Sequence, residues 1–421
     1  MSTDAPARRG PSRRVAADDR RAVCIWLGTL ASWRQGLVGR LVREYGSVAR
    51  VLETPPAELA AAAARRRARL VQADAATGAA RAETEGDAHR FDVALKAGPA
   101  ACVRAADAGA PSRHTVAWCD PLYPAQLRKL ADPPLCLFVQ SDAGDAAVAA
   151  RLAALAAVPA VAVVGTRAPS TYGEDMARLL GRDLARAGLI VVSGLALGVD
   201  AVAQSAALGV PAGDGRPRTV AVLGSGADVP YPRTNLPLYG RVAAEGLVVS
   251  EFAWGVPARA WRFPARNRVM AALARAVVLV EGTERSGARI TAGFALDLGR
   301  EVLCVPGEAG RRLSAAPNQL LRDGAKVCEG AADVLRAIAV DDPADLAVGA
   351  VPGAAAEALV LDHGGGAVRE VLRALERGPL TVDELARRCR MPAAKAAAAA
   401  SELEVDGLAR RGEGGRYRLR R

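Results

Sequence analysis

The sequence predicts an α/β protein: a doubly wound, mostly parallel sheet, preceded by a helical region and followed by a small helix-and-hairpin domain. Three observations lead there. Between residues 161 and 305, largely apolar runs of strand length recur, with helical segments between most of them. The first run, Val161-Ala-Val-Val164, breaks at Gly165, and a helical pattern (Met176, Leu179, Leu180, Leu184) begins beyond Gly173. Near the chain's end, Thr381-Val-Asp-Glu384 reads as a capping box and 407–419 as a hairpin with a glycine tip.

Composition narrows the class. At 421 residues, two or three domains are expected. The apolar runs are short and alanine-rich, so no membrane span is predicted. Arg8, Arg9, Arg13 and Arg14 have no apolar stretch behind them, which speaks against a secretory signal. Seven cysteines without C-x-x-C pairing give no disulfide framework; Cys24, Cys136 and Cys304 sit in apolar contexts and read as core thiols. A reducing cytoplasm fits best. The net charge of +11 points to a polyanionic partner.

In order, residues 1–20 hold little apolar content and are expected to be a disordered tail. Residues 21–110 carry apolar positions at helical spacing (Leu27, Leu30, Leu37, Leu41), punctuated by Gly28, Gly36, Gly39 and Gly46. Short helices joined by such turns suggest a small helix-hairpin-helix or SAM-like bundle. Within it, 61–90 reads as a long exposed helix. Residues 111–160 are expected to be a connector, with Leu135-Cys-Leu-Phe-Val139 as a short strand. The core, 161–338, holds the runs 161–164, 189–192, 219–223, 247–249, 276–280 and 301–305. Continuous rather than alternating apolarity means that both faces of this sheet are covered. Residues 339–365 are rich in Gly, Pro and Asp and read as a linker. Three helices and the hairpin in 366–421 predict a winged helix, with 13 basic and 8 acidic residues. Its third helix is Lys395 followed by alanines, poor in side chains that read bases.

The unusual residues of the core fall in the loops after the strands. These are Gly165-Thr166-Arg167, Ser193-Gly194-Leu-Ala-Leu-Gly198-Val-Asp200, Gly224-Ser-Gly226, Phe263-Pro-Ala-Arg266-Asn267-Arg268 and Ser286-Gly287 leading to Thr291. Right-handed crossovers place all such loops on one edge. Turn N–H groups, the helix start after Gly173 and the Arg167 fork would favour a phosphate there. From Phe252 to Val280 there are five arginines and no acid, interleaved with Trp254, Trp261 and Phe263. Aromatic rings beside arginines suit a single-stranded nucleic acid. No catalytic constellation competes. His89, His114 and His363 lie outside the core, metal-ligand clusters are absent and no cofactor is predicted. Asp200, Asp228, Glu251 and Glu281 read better as residues that cap helices or orient arginines than as acids and bases.

Taken together, these motifs, with Tyr231-Pro232 and Asn235, resemble the DprA/Smf family of DNA-processing proteins of natural transformation, over roughly 20–421. The resemblance implies an extended Rossmann core between a SAM-like domain and a winged helix. It implies a non-catalytic homodimer that binds single-stranded DNA along the strand-end edge and loads the RecA recombinase. Arg167 would clamp a phosphate; Phe263, Arg266 and Arg268 would flank the strand; Gly165, Gly194, Gly224 and Gly287 would let backbone approach it. Departures are Gln204 where the family usually has His, Leu197 where a basic residue is common, and Ala316-Pro-Asn318 for Gly-Ser/Thr-Asn. The alternative is a nucleotide-hydrolysing enzyme of the phosphoribohydrolase type. Its Gly-Gly-x-Gly-Thr-x-x-Glu signature is absent, and Glu281-Gly-Thr-Glu284 lacks the glycine pair.

Overall fold

The computed structural model describes residues 17–34, 36–64, 85–108, 110–211, 215–341, 366–375, 378–405, 409–412 and 415–419. Most of the expected tail, the stretch 65–84, the linker from 342 to 365 and the hairpin tip at 413–414 lie outside these residues.

In chain order, helices α1 (Ala17–Ala31), α2 (Leu37–Tyr45), α3 (Val48–Glu53) and α4 (Glu85–Asp107) come first. They lead into β1 (Arg113–Ala117), β2 (Cys136–Gln140) and α5 (Asp145–Ala157). Strands and helices then alternate: β3 (Ala160–Val164), α6 (Thr171–Arg186), β4 (Ile190–Ser193), α7 (Val199–Leu208), β5 (Thr219–Val222), α8 (Leu236–Glu245), β6 (Leu247–Ser250) and α9 (Arg262–Leu273). The alternation continues through β7 (Ala276–Leu279), α10 (Gly287–Asp297), β8 (Glu301–Cys304), α11 (Ala315–Arg322), β9 (Lys326–Val327) and α12 (Ala331–Asp341). The C-terminal elements are α13 (Gly366–Leu375), α14 (Val382–Arg388), α15 (Ala393–Val405), β10 (Ala409–Arg411) and β11 (Tyr417–Leu419).

The first nine strands form one sheet in the order β1-β2-β6-β5-β4-β3-β7-β8-β9. β3 runs parallel to β4 and β7, β7 to β8, and β8 to β9. The expected α/β class with a doubly wound sheet is what the chain forms. Two expectations are corrected. Residues 111–160 are more than a connector, because β1 pairs antiparallel with β2, and β2 antiparallel with β6, extending the sheet. β2 is buried at four of its five positions, which is why it sits inside the sheet. Of the stretch expected to be disordered, residues 17–20 are helical: α1 starts at Ala17, with Asp18 and Asp19 in the first turn, where acids favour a helix start.

Packing divides the chain into two compact units, 1–156 with 221–272, and 157–220 with 273–421. In the first, α1 buries Val23 through Leu27 and Leu30, and the Trp26 indole donates to Ala94 O of α4 at 3.0 Å. Gly28 brings α1 close to β2, where a Cβ would lie 2.8 Å from that of Cys136. In the second, Val161, Val163, Val191, Val278 and Leu303 of four parallel strands pack with Leu180 and Leu184 of α6 and Ala203 of α7. The α6 and α7 backbones touch at Gly181, where a Cβ would stand 2.1 Å from Ala203 O.

The C-terminal domain has its own core of Val371, Leu372, Leu385, Leu403 and Tyr417. Thr381 and Glu384 form the expected capping box, and β10 pairs antiparallel with β11. Three helices and a hairpin make the predicted winged helix.

Candidate nucleic-acid interface

In the second unit, the loops after β3, β4 and β7 are knit together by main-chain bonds. Thr166 N donates to Glu281 O at 2.7 Å, and Val199 N donates to Thr166 O at 3.2 Å. Gly198 permits that crossing: its φ is 75°, and a Cβ would sit 2.4 Å from Thr166 O. Gly165 and Thr166 are half-buried, and Arg167 is exposed at the rim.

The loop after β4 is held from inside. Asp200 accepts from Gly194 N at 3.0 Å. Leu195, at φ 54°, donates its N–H to Gln204 Oε1 at 3.0 Å, and Gln204 Nε2 donates to Thr219 Oγ1 at 3.1 Å. Ser193 is wholly buried and its hydroxyl donates to Val163 O at 2.7 Å. The side chain of Thr291, on α10, is also buried. These groups shape the loops from within, whereas Ser286 is half-buried and Gly287 exposed.

The helix start expected to welcome a phosphate already has an anion. Ser170 caps α6, accepting from Gly173 N at 3.2 Å. Glu281, buried at the end of β7, accepts from Ser170 N at 2.9 Å and from Ser170 Oγ at 2.6 Å. Its carboxylate fills the place of a Gly173 side chain, 2.2 Å from where a Cβ would be. The α6 N-terminus is thus neutralised by the protein itself.

In the first unit, the run of arginines turns out to be largely internal. Arg262 is 0% exposed, 3.7 Å from Asp87, and donates to Ser32 O at 2.9 Å. Its guanidinium lies 4.8 Å from the Trp261 ring centroid and 5.3 Å from that of Trp33. Burial pulls its pKa down to about 10, against the opposing pull of Asp87. Arg266 is buried and donates to Val222 O and to Asn267 Oδ1, itself buried. Arg268 pairs with Glu251 and lies 3.9 Å from Asp132. Burial raises the Glu251 pKa, while Arg268 lowers it. The expected groove of arginines beside the aromatic rings is corrected accordingly. These cations serve carbonyls and carboxylates of the fold. Trp254 packs edge-on against Phe138 at 5.4 Å, and Trp261 against Phe252 at 6.0 Å.

Phe263 is different. It is half-buried, and its ring lies 5.3 Å from that of Tyr231, tilted by 37°. Tyr231 is 45% exposed. Gly224 sits beneath Phe263, where a Cβ would be 2.8 Å from Cδ1, and Gly226 N donates to Val256 O at 2.8 Å. Tyr231 was legible as part of the Tyr-Pro motif but not as half of a ring pair.

Sequence reasoning also missed a basic cavity of about 610 Å³ in the second unit. Arg285, Arg311, Arg312 and Arg322 line it, together with Asn318. Asn318 and Gly307 exchange hydrogen bonds of 2.8 and 3.1 Å, so the altered Ala316-Pro-Asn318 motif keeps its loop-bracing amide. The adjacent pair Arg311-Arg312 was the available signal.

The loop carboxylates are engaged internally. Asp228 pairs with Arg113 at 2.8 Å and accepts from Gly255 N at 2.8 Å, beside the roles of Asp200, Glu251 and Glu281 given above. On the first half of α15, Ala393, Ala394, Lys395 and Ala398 are exposed, and Ser401, Glu402 and Glu404 are exposed on the second half, so one cation and two acids stand on its surface. Among the described residues, no helix is long and apolar enough to cross a membrane.

Comparison with known proteins agrees with this architecture. A profile of the family described as DNA recombination-mediator protein A matches residues 114–339, more than half of the chain. A profile of the DprA winged helix domain matches 356–415. A protein of Mycobacterium tuberculosis described as "Putative DNA processing protein DprA" is 41% identical over 267 residues, 62% of this chain and 64% of the relative. The match therefore spans less than two thirds of that protein's length. The Bacillus subtilis DNA processing protein DprA is 34% identical over 212 residues, 50% of this chain and 67% of its own. The X-ray structure of DNA processing protein A from Streptococcus pneumoniae superposes with a TM-score of 0.57 at 29% identity, covering 74% of this chain and 97% of that one. The chain belongs to the DprA/Smf family of DNA-processing proteins.

Proposed function

We propose that this chain binds single-stranded DNA through the loops at the strand ends and passes it to the RecA recombinase, acting as a non-catalytic homodimer in the cytoplasm. The observation that carries this reading is the Tyr231–Phe263 ring pair, partly open to solvent, which joins the loop after β5 to the first turn of α9, Phe263 to Arg268 being helical where a loop was expected. Every base has a face that stacks on such rings, whatever the sequence. Exposed Arg167 and the arginine-lined cavity supply cations for the backbone. The site expected from sequence narrows with burial. Phe263, Gly165, Thr166, Arg167, Ser286 and Gly287 are the contact candidates, and Tyr231 joins them. Ser193, Gly194, Gly198, Gly224, Gly226, Arg266, Asn267, Arg268 and Thr291 act as the frame. Internal use of the four loop carboxylates supports the non-catalytic reading over nucleotide hydrolysis.

The test is an anisotropy titration with labelled single- and double-stranded oligonucleotides of equal length at two salt concentrations. A strong preference for the single strand is expected. Equal affinity for both forms, or base release from a nucleoside monophosphate, would overturn the reading.

A further inference from the structure

The arginine-lined cavity of the second unit is built from three segments tied together at one residue. Gly282, in the loop after β7, donates its N–H to Leu313 O at 2.7 Å, and its carbonyl accepts from Ala316 N at 3.0 Å. This clasp brings 283–285 of that loop beside 309–312 of the loop after β8 and beside α11. Burial then sorts the lining. Ser314 is 6% exposed, and among the described residues its hydroxyl has no hydrogen-bond partner. The four arginines are exposed around it. Arg311 pairs with Glu308 at 2.7 Å, and Arg322 donates to Gln319 Oε1 at 3.1 Å. Arg285 and Arg312 meet no acid among the described residues. Glu284 is the single acid of the lining.

Resting on the single-strand binding proposed above, we infer that this cavity takes one particular phosphate of the strand, the terminal phosphomonoester at a phosphorylated end. The charge fits. A phosphomonoester carries about −1.5 to −2 at neutral pH and offers three strong acceptor oxygens, whereas a phosphate between two sugars carries a single charge. Two uncommitted guanidinium forks and a free buried hydroxyl are the donors for it. A fork can give two parallel N–H bonds to one phosphate, which a lysine in its place could not.

The shape fits too. A volume of about 610 Å³ lies in the range of small-ligand pockets. The Gly282 clasp ties the walls together, and the Asn318–Gly307 exchange braces them a second time. A strand running on through the cavity would present base after base, and such sites offer rings for those bases to stack on. None of the lining residues is aromatic. The terminal base is therefore left unread, and the end is recognised by its charge alone, whatever the sequence.

The full-length protein is titrated by anisotropy with one internally labelled oligonucleotide, phosphorylated at its first sugar, at its last sugar, or at neither end. One phosphorylated form should bind at least about tenfold more tightly than the form without a terminal phosphate, as one hydrogen bond to a charged group would give. In the double variant Arg285→Gln, Arg312→Gln that ratio should fall to about one, and in Ser314→Ala it should fall part of the way. Arg167→Ala should weaken every form and leave the ratio standing. Equal affinities for all forms in the parent protein would overturn the inference while single-strand binding stood. No binding of any form, with or without binding of a nucleoside monophosphate, would remove the single-strand reading and the inference together.

Discussion

The Glu281 carboxylate grips Ser170 twice, accepting from its N–H at 2.9 Å and from its hydroxyl at 2.6 Å. A side chain from the end of β7 thereby occupies the start of α6, the position that dinucleotide-binding sheets keep open for a pyrophosphate. Glu281→Ala should cost about 1.5–3 kcal/mol, the range for losing hydrogen bonds to a buried charged group. Urea unfolding measures it. An unchanged midpoint would show that the loops hold without this anchor.

Stacking is tested on the ring pair. Phe263→Ala and Tyr231→Ala should each weaken single-strand binding by about 1–3 kcal/mol if a base lies on that ring. Because the rings touch, the double variant should lose less than the sum. Gly224→Ala pushes directly on the Phe263 ring and should weaken binding with no loss of a ligand contact. Affinities equal to the parent's in all of these would remove the pair from the site.

Phosphate contact appears as a salt dependence. The logarithm of the affinity should fall with log salt at a slope of about −0.7 per neutralised phosphate. Arg167→Ala should make the slope shallower by about one contact's worth. Arg262→Ala should leave the slope unchanged, since Arg262 is 0% exposed. A slope that responds to Arg262 but not to Arg167 would reverse the assignment of inner and outer cations.

Arg262 should matter to stability instead. Its loss takes from the buried Asp87 carboxylate its shorter arginine contact and leaves the 4.0 Å pairing with Arg259, at a cost of up to about 3–5 kcal/mol. Replacing Arg262 and Asp87 together with apolar residues should recover part of that loss, since the weakened pair goes too. Thermal denaturation of the single and double variants decides the matter, and a double variant less stable than the single would count against a charge-pair origin.

How much of this could be read from the chain depends on the kind of residue. The six core strands announced themselves because Val161 to Val164 and their counterparts are apolar on both faces, and the capping box at Thr381 is a local signal. β1 was missed because Arg113-His-Thr-Val-Ala117 is short and half polar, and only its pairing with β2 makes it a strand. The loop carboxylates were read correctly as internal partners. The arginines of 259–268 were not. Their number and spacing look alike whether the fork meets a phosphate or a carbonyl, and Arg262 lies 175 residues from Asp87, which a local pattern does not link. The cavity around Arg285, Arg312 and Arg322 likewise assembles from segments apart in sequence, two of them loops and one the helix α11.

At Gly181, α6 and α7 meet backbone to backbone, with no side chain between them to bend or repack. Helices in such contact transmit displacement as a lever does. α6 begins just after the loop of Arg167, and α7 just after that of Leu195 and Gly198. The two loops therefore belong to one stiff assembly, and a strand that draws one of them inward takes the other with it.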